Sequence, residues 1–308
     1  MIERWRRWLA QPQPVERLEL LRIALPLVIL GFLSTRLQHA DYWLSPVGFQ
    51  VPRLPAGDWR QPLYLPPLPP WLAWTVAAAT VTSGLAVAAG LRTRAATATF
   101  ALLLLYLVLA DRLETFTVTK LAPALVLALC LSPAGARYGV DAWLRRRRQP
   151  DAPLVTQVPG ASIRFFQLLL VVLYSGSGIA KLRGDWLSGP VLWTHVHDSY
   201  QTAVTWFFIR VFPGWLWRVL QWATLAFEVG APVWFSLRAT RTAALFAGLG
   251  MHAFIGLMFG PVVWFALLMS TLLLASFAPE RWLRAAPPPE QRAASARHNR
   301  PPTATKRK

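Results

Sequence analysis

Phe165-Phe-Gln-Leu-Leu-Leu-Val-Val-Leu-Tyr174-Ser-Gly-Ser-Gly-Ile-Ala-Lys181-Leu-Arg-Gly-Asp-Trp186-Leu-Ser-Gly189 carries an apolar run through small residues to a lysine, and then to a Trp and a Gly that close a turn. Read as a helix, it places Tyr174, Ser177 or Gly178, and Lys181 at i, i+3/i+4 and i+7. One face therefore holds a phenol, small residues and an amine. A lysine on an otherwise apolar spanning segment is costly in lipid; it marks a functional site or an anchor that snorkels to the interface. The Ser-Gly-Ser-Gly run suits close helix packing better than it suits a phosphate cradle.

The rest of the 308-residue chain reads as a membrane scaffold around this corner. It is 55% hydrophobic and only 15% charged, with a mean hydropathy of +0.37. Soluble domains run nearer a quarter charged, so the composition is that of an integral membrane protein. A formal net charge of +18 raises the question of nucleic acid. The arginines argue against it, because they cluster between apolar runs and no polar basic domain with interleaved aromatics is present. Cys130 is the single cysteine; with no second thiol it forms no internal disulfide or Cys-Cys metal site and reads as an inert buried thiol. The basic start, Met1 to Trp8, precedes a long apolar run without a small-residue cleavage site, and reads as leading into a first spanning helix.

Eight apolar segments are expected, each near the roughly 20 residues a span needs: 18–36, 71–91, 95–110, 117–131, 163–181, 215–237, 242–259 and 261–277. The fold class is an all-α polytopic membrane bundle. The third and fourth segments are short and read as tilted or partly buried. Between the first two lies a Pro- and Trp-rich connection, residues 37–70, with Tyr42, Trp43, Phe49, Trp59 and Tyr64 suited to the membrane interface. Eight spans put both termini on one side. Arg4, Arg6, Arg7, Arg92, Arg94, Arg145 to Arg148, Arg238, Arg241 and the basic tail then share that side, which the positive-inside rule makes cytoplasmic. Arg53, Arg60, Lys181, Arg183 and Arg210 fall opposite. Residues 1–284 form the membrane domain, and 285–308, rich in Pro, Ala and basic residues, read as a disordered cytoplasmic tail.

Polar residues inside the spans are the candidates for chemistry. Segment six carries Gln221, Thr224 and Glu228 at i, i+3 and i+7, with Glu228 about 13 residues from the outer end and so near the midplane. His252 sits at similar depth in segment seven, so Glu228 and His252 are placed to meet, either as a structural pair or as the lining of a pocket. Asp185 is a candidate partner for Lys181 or Arg183. Outer-side candidates are His39, Asp41, Asp111, Arg112, Glu114 and Lys120. His195 and His197, an i, i+2 pair, make a weak metal signal with no third ligand in view. No P-loop, Gly-x-Ser-x-Gly elbow or HExxH helix occurs.

These stretches, taken in order, resemble a known family. Ala180-Lys181-Leu182 with Asp185-Trp186-Leu187-Ser188-Gly189 is similar to the lysine-containing motif of vitamin K-dependent γ-glutamyl carboxylase and its bacterial relatives, which share the HTTM domain. Tyr138-Gly-Val-Asp141 before an arginine cluster, Leu225-Ala-Phe-Glu228 before Pro232, and Met251-His252-Ala-Phe before Phe265 agree as well. The resemblance covers about residues 18–284. It implies a lysine acting as base on a reduced vitamin K or menaquinone. In the carboxylase, oxidation of that quinol by oxygen is coupled to proton removal from a glutamate, to which carbon dioxide then adds. Carried over, Lys181 is the base and His252 and Glu228 share the catalytic core. Tyr174, Trp186, Gly189 and Thr224 form the substrate wall. An amine beside apolar surface loses the solvation of its charge, which makes the neutral, basic form accessible. The carboxylase also has a large domain after its membrane part and a histidine-bearing turn between the third and fourth segments. Here residue 284 is followed by the basic tail, and the turn reads Asp-Arg-Leu-Glu-Thr-Phe. Chemistry on a lipid-soluble quinone is therefore expected ahead of carboxylation of a protein. The competing expectation is a non-enzymatic module that binds, exports or matures a peptide through residues 182–214 and 37–70. A small transporter is disfavoured, because no inverted repeat or paired broken helices are visible.

Overall fold

The computed structural model describes residues 2–50, 52–55, 57–58, 63–111, 116–198 and 201–283. Trp59, Arg60, Arg112, Glu114 and the tail 285–308 lie outside the described residues.

The chain folds as an all-α polytopic bundle. Among the described residues, six helical stretches are long and apolar enough to cross a membrane: α2 (Val15–Leu37), α4 (Pro70–Ala89), α5 (Thr93–Ala110), α8 (Ala161–Leu182), α12 (Arg238–Met258) and Gly260–Phe277, whose main part is α13 (Val263–Phe277). The other two expected spans coincide with helices that miss those criteria for different reasons. α6 (Thr117–Cys130) has 14 residues, about 21 Å at 1.5 Å per residue against a hydrocarbon core of about 30 Å. α11 (Gly214–Ser236) has 23 residues but carries Arg218, Gln221, Thr224 and Glu228, so it has the length without the apolarity.

α2 lies at the centre and packs against α4, α6, α8 and α13, while α4–α5–α6 and α11–α12–α13 form runs of neighbouring helices on either side. Its Leu18, Leu21, Leu25, Ile29 and Leu33 are completely buried, at the 3–4 residue spacing of one helix stripe. The outward faces are apolar too. Leu102, Leu105, Val172, Phe246 and Leu257 are among the exposed large side chains, and only lipid makes such faces favourable on helix after helix.

Short helices dress the ends. α1 (Ile2–Ala10) lies against the start of α8, and a two-stranded clip, β1 (Gln13–Pro14) with β2 (Gln157–Val158), ties the entry of α2 to the entry of α8. In the Pro- and Trp-rich connection, α3 (Ala40–Leu44) is held by the Leu68 N–H on the Leu44 carbonyl, and Trp43 Nε1 donates to Asp111 at 2.7 Å. After α8, α9 (Val191–Val196) and α10 (Ala203–Val211) cover the start of α11 and the end of α12 over a small cluster of Val196, Trp217 and Met258.

The buried arginines of α2, within or beside the first span, serve backbone carbonyls. Arg22, 1% exposed, pairs with Glu19 at 2.8 Å. It also donates to the carbonyls of Val87 (2.9 Å), Ala88 (2.5 Å) and Tyr138, satisfying the end of α4. Arg17 does the same for α13, donating to Ala275 (2.8 Å) and Ala278 (2.7 Å). The Asp141 of the Tyr-x-x-Asp stretch, at the start of α7 (Val140–Arg148), is the anionic cap of α5. Its carboxylate accepts from Arg92 N (2.8 Å), Thr93 N (2.7 Å) and the Thr93 hydroxyl (2.8 Å). This geometry needs Gly90 (φ 69) and Gly139 (φ 144) in contact, since a Cβ on Gly90 would lie 2.9 Å from the Gly139 Cα. Cys130 is half-buried, its sulfur 3.6 Å from the Arg94 carbonyl.

Candidate functional site

The site is built where α8 and α11 come unusually close. A Cβ placed on Gly178 would lie 2.8 Å from the backbone nitrogen of Val229 and 3.1 Å from the carbonyl carbon of Glu228. Only glycine permits this approach, which is the small-residue packing expected of the Ser-Gly-Ser-Gly run. One turn further on, Lys181 reaches across the seam. Its Nζ donates to both oxygens of Glu228, at 2.6 and 2.8 Å, and to Ser177 Oγ at 2.7 Å. The Trp186 ring lies 5.0 Å from the same nitrogen, within cation–π range. The lysine is therefore not a free snorkelling anchor: its side chain is 19% exposed and that of Glu228 is 9%.

Tyr174 lies seven residues before Lys181, about 10 Å along the helix axis. Its hydroxyl is 2.7 Å from His252 Nε2, with the donor set by the imidazole tautomer. Phe227 meets the Tyr174 ring edge-on at 5.2 Å, and Phe265 meets the His252 ring edge-on at 5.6 Å. His252 Nδ1 is buried and has no hydrogen-bond partner among the described residues. The sequence placed Glu228 and His252 to meet; the folded chain instead pairs each with α8, Glu228 through Lys181 and His252 through Tyr174. Helix rotation, which depth in the membrane does not set, decides this.

Gln221 holds the outer turn. Its amide nitrogen donates to the carbonyls of Trp186 (2.6 Å) and Gly189 (2.9 Å), and its oxygen accepts from Leu192 N at 2.8 Å. Trp186 is thereby fixed over the lysine. Gly189 N donates to the Asp185 carbonyl at 2.7 Å, which makes Gly189 a turn-closing residue. Asp185 is not the partner of Lys181; Glu228 has that place.

These groups line a cavity of about 730 Å³ between α6, α8, α11, α12, α13 and the turn that follows α8. Lys181, Glu228, Tyr174, His252, Trp186 and Thr224 all lie on its wall, and Gly189 does not. The Thr224 hydroxyl bonds back to the Leu220 carbonyl at 2.9 Å, so it turns toward its own helix. Most of the remaining wall is apolar, including Leu121, Leu173, Phe227, Ile255 and Met269. His195 reaches the wall, but His195 and His197 each engage a backbone carbonyl through Nδ1, at 2.9 and 2.8 Å. Among the described residues no group of three or more His, Cys, Asp or Glu is arranged to hold a metal. The sequence shows Ser177 only as a small residue on the Tyr174–Lys181 face, and Gln221 only as part of the polar stripe, without its clamping function. Phe227 carries no signal beyond ordinary helix packing.

A bundle of apolar helices around an internal, polar-tipped cavity defines a multi-pass integral membrane protein. Residues 11–282 match the family model described as HTTM domain, and the chain belongs to that family. No curated protein and no solved structure matches it.

Proposed function

We propose that this HTTM protein is a carboxylase-like membrane enzyme whose Lys181–Glu228 pair takes a proton from the hydroxyl of a lipid-soluble quinol. The observation that carries the reading is a lysine–carboxylate pair set in the wall of an otherwise apolar cavity inside a helix bundle. A volume of about 730 Å³ falls in the range of small-molecule sites, roughly 300–1,000 Å³. A flat ring with hydroxyls suits the wall, with aromatic and aliphatic faces between two polar pairs.

A reduced vitamin K or menaquinone would supply an ionisable hydroxyl and a ring that oxygen can oxidise. With the pair one proton short, an amine beside a carboxylate, Lys181 Nζ would take the quinol proton, leaving an ammonium–carboxylate pair at 2.6 Å and a quinolate anion in the cavity. Trp186 closes the outer end over the amine. Tyr174 and His252 orient the far end. The reading includes all eight spans, with α6 and α11 among them, both termini cytoplasmic and the site opening outward from a bacterial inner membrane.

The test is binding of reduced menaquinone to purified protein with oxygen uptake followed in the same sample. Wild type is expected to bind saturably and consume oxygen, and Lys181→Met to lose the uptake. Equal uptake by both proteins, or no binding by wild type, sinks the reading.

One observation favours a second reading. The amine is already held by both Glu228 oxygens and Ser177, which suits a tie between α8 and α11 that positions residues 182–214 for a partner peptide. Under that reading the double variant Lys181→Met/Glu228→Gln keeps function.

A further inference from the structure

The other end of the bundle holds a second cavity, of about 450 Å³, that the quinol reading does not use. It lies between α1 and the inner ends of α8, α11, α12 and α13. Among the described residues, three arginines line it (Arg4, Arg164 and Arg241) and no acidic side chain does. Glu3, next to Arg4, faces Arg6 at 3.8 Å, and Glu280 acts on Arg17 outside the lining.

Arg164 is only 8% exposed. It donates to Gln167 Oε1 at 2.7 Å and Gln11 Oε1 at 3.2 Å and stacks on the Trp8 ring at 4.5 Å, yet all these partners are neutral and its buried Nε has no partner. Arg241 donates to the carbonyls of Phe235 (3.0 Å) and Ser236 (3.3 Å), again neutral groups. Cations gathered without a counter-ion repel one another and call for an anion. Apart from Gln167 and Ser236, the rest of the described wall is aromatic or aliphatic. Leu168, itself 42% exposed, continues the cavity onto the outer face of α8, beside Val171 and Phe277. α1 places Trp5 and Trp8 one turn apart, edge to face at 5.4 Å, as interfacial helices do.

We propose that this cavity binds one anionic phospholipid, its phosphate among Arg4, Arg164 and Arg241 and an acyl chain along Leu168, Val171 and Phe277. A soluble anion would satisfy the arginines and leave the apolar half uncovered, whereas a lipid satisfies both. Basic pockets between helix ends on the arginine-rich side are where anionic headgroups dock.

Native mass spectrometry of the purified protein, titrated with phosphatidylglycerol, phosphatidylcholine or inorganic phosphate, tests this. Wild type is expected to retain one phosphatidylglycerol at concentrations where phosphatidylcholine is lost. Arg4→Glu weakens that retention by roughly five- to thirtyfold, the effect of one to two unit charges at a headgroup; Arg4→Lys restores it. The Arg4 side chain is exposed, so Arg4→Glu should melt like wild type in phosphatidylcholine. Equal retention of the two lipids, or no effect of Arg4→Glu in a protein that melts normally, overturns the proposal. Displacement of phosphatidylglycerol by millimolar phosphate overturns it too, by showing a pocket for a free anion.

Discussion

Gly178→Ala and Gly176→Ala, two changes of one methyl group within the same Ser-Gly-Ser-Gly run, should have opposite effects. At Gly178 the new Cβ would sit 2.8 Å from the backbone nitrogen and Cγ2 of Val229, while at Gly176 nothing lies within 4 Å. The Val229 methyl can rotate away but its backbone nitrogen cannot, so α8 and α11 must separate toward an ordinary contact of about 3.5–4.0 Å. Overpacking of this kind costs about 1–3 kcal/mol, and replacing a helical glycine returns about 0.5–1 kcal/mol. Gly178→Ala is therefore expected to destabilise by a net of about 1–2 kcal/mol. It should also lengthen the Lys181–Glu228 bonds one turn away, so menaquinol binding weakens with it. Gly176→Ala carries only the propensity gain and should be stable to the same degree as wild type or up to about 1 kcal/mol more. Thermal unfolding of the three proteins in one detergent, with quinol binding measured on each, decides the matter. Equal midpoints for the two variants, or a Gly178→Ala protein that melts at or above wild type, would refute the claim that helix proximity builds the site.

Three further expectations follow from the ion pairs and the cap. Glu228→Gln leaves the Lys181 charge without its partner and should cost about 1–3 kcal/mol, discounted from a fully buried pair because the lysine is partly exposed; adding Lys181→Met should recover much of that loss in a double-mutant cycle. Arg22→Met removes the group that satisfies three carbonyls and pairs with Glu19, and should cost about 3–5 kcal/mol, read as loss of folded protein in detergent or as a large drop in melting temperature. Burial opposes the charge on Asp141, but bonds from Thr93 and Arg92 and the nearby Arg145 outweigh it and hold the carboxyl below its ordinary value of 3.8. A lowered folded value means that the stabilisation is present above 3.8 and fades as pH falls through the folded value. Melting temperature followed from pH 5 downward should therefore fall more steeply for wild type than for Asp141→Asn, and parallel curves would count against the cap.

Fold class, the order of the helices and the candidate residues could be read from the linear pattern, because lipid imposes a near-uniform rule. A span must be about 20 apolar residues, and any polar group within it stands out. Lys181, Glu228, Tyr174 and His252 were visible for that reason, and all four line the cavity. The exceptions mark where the rule weakens. α11 sacrifices apolarity to its polar stripe, and α6 is too short to show as a full span. Partnership was not legible. Depth along two helices suggested Glu228 with His252, but a pair forms only where helix rotation and interaxial distance agree. Those are set by contacts such as Gly178 against Val229, whose partners lie some 50 positions apart in the chain. The buried arginines were hidden for a related reason. Arg17 and Arg22 look like charges at odds with an apolar segment until the ends of α13 and α4 supply their carbonyls. Periodicity reports what each helix presents along its own axis, whereas which faces meet is decided by packing among residues remote in sequence.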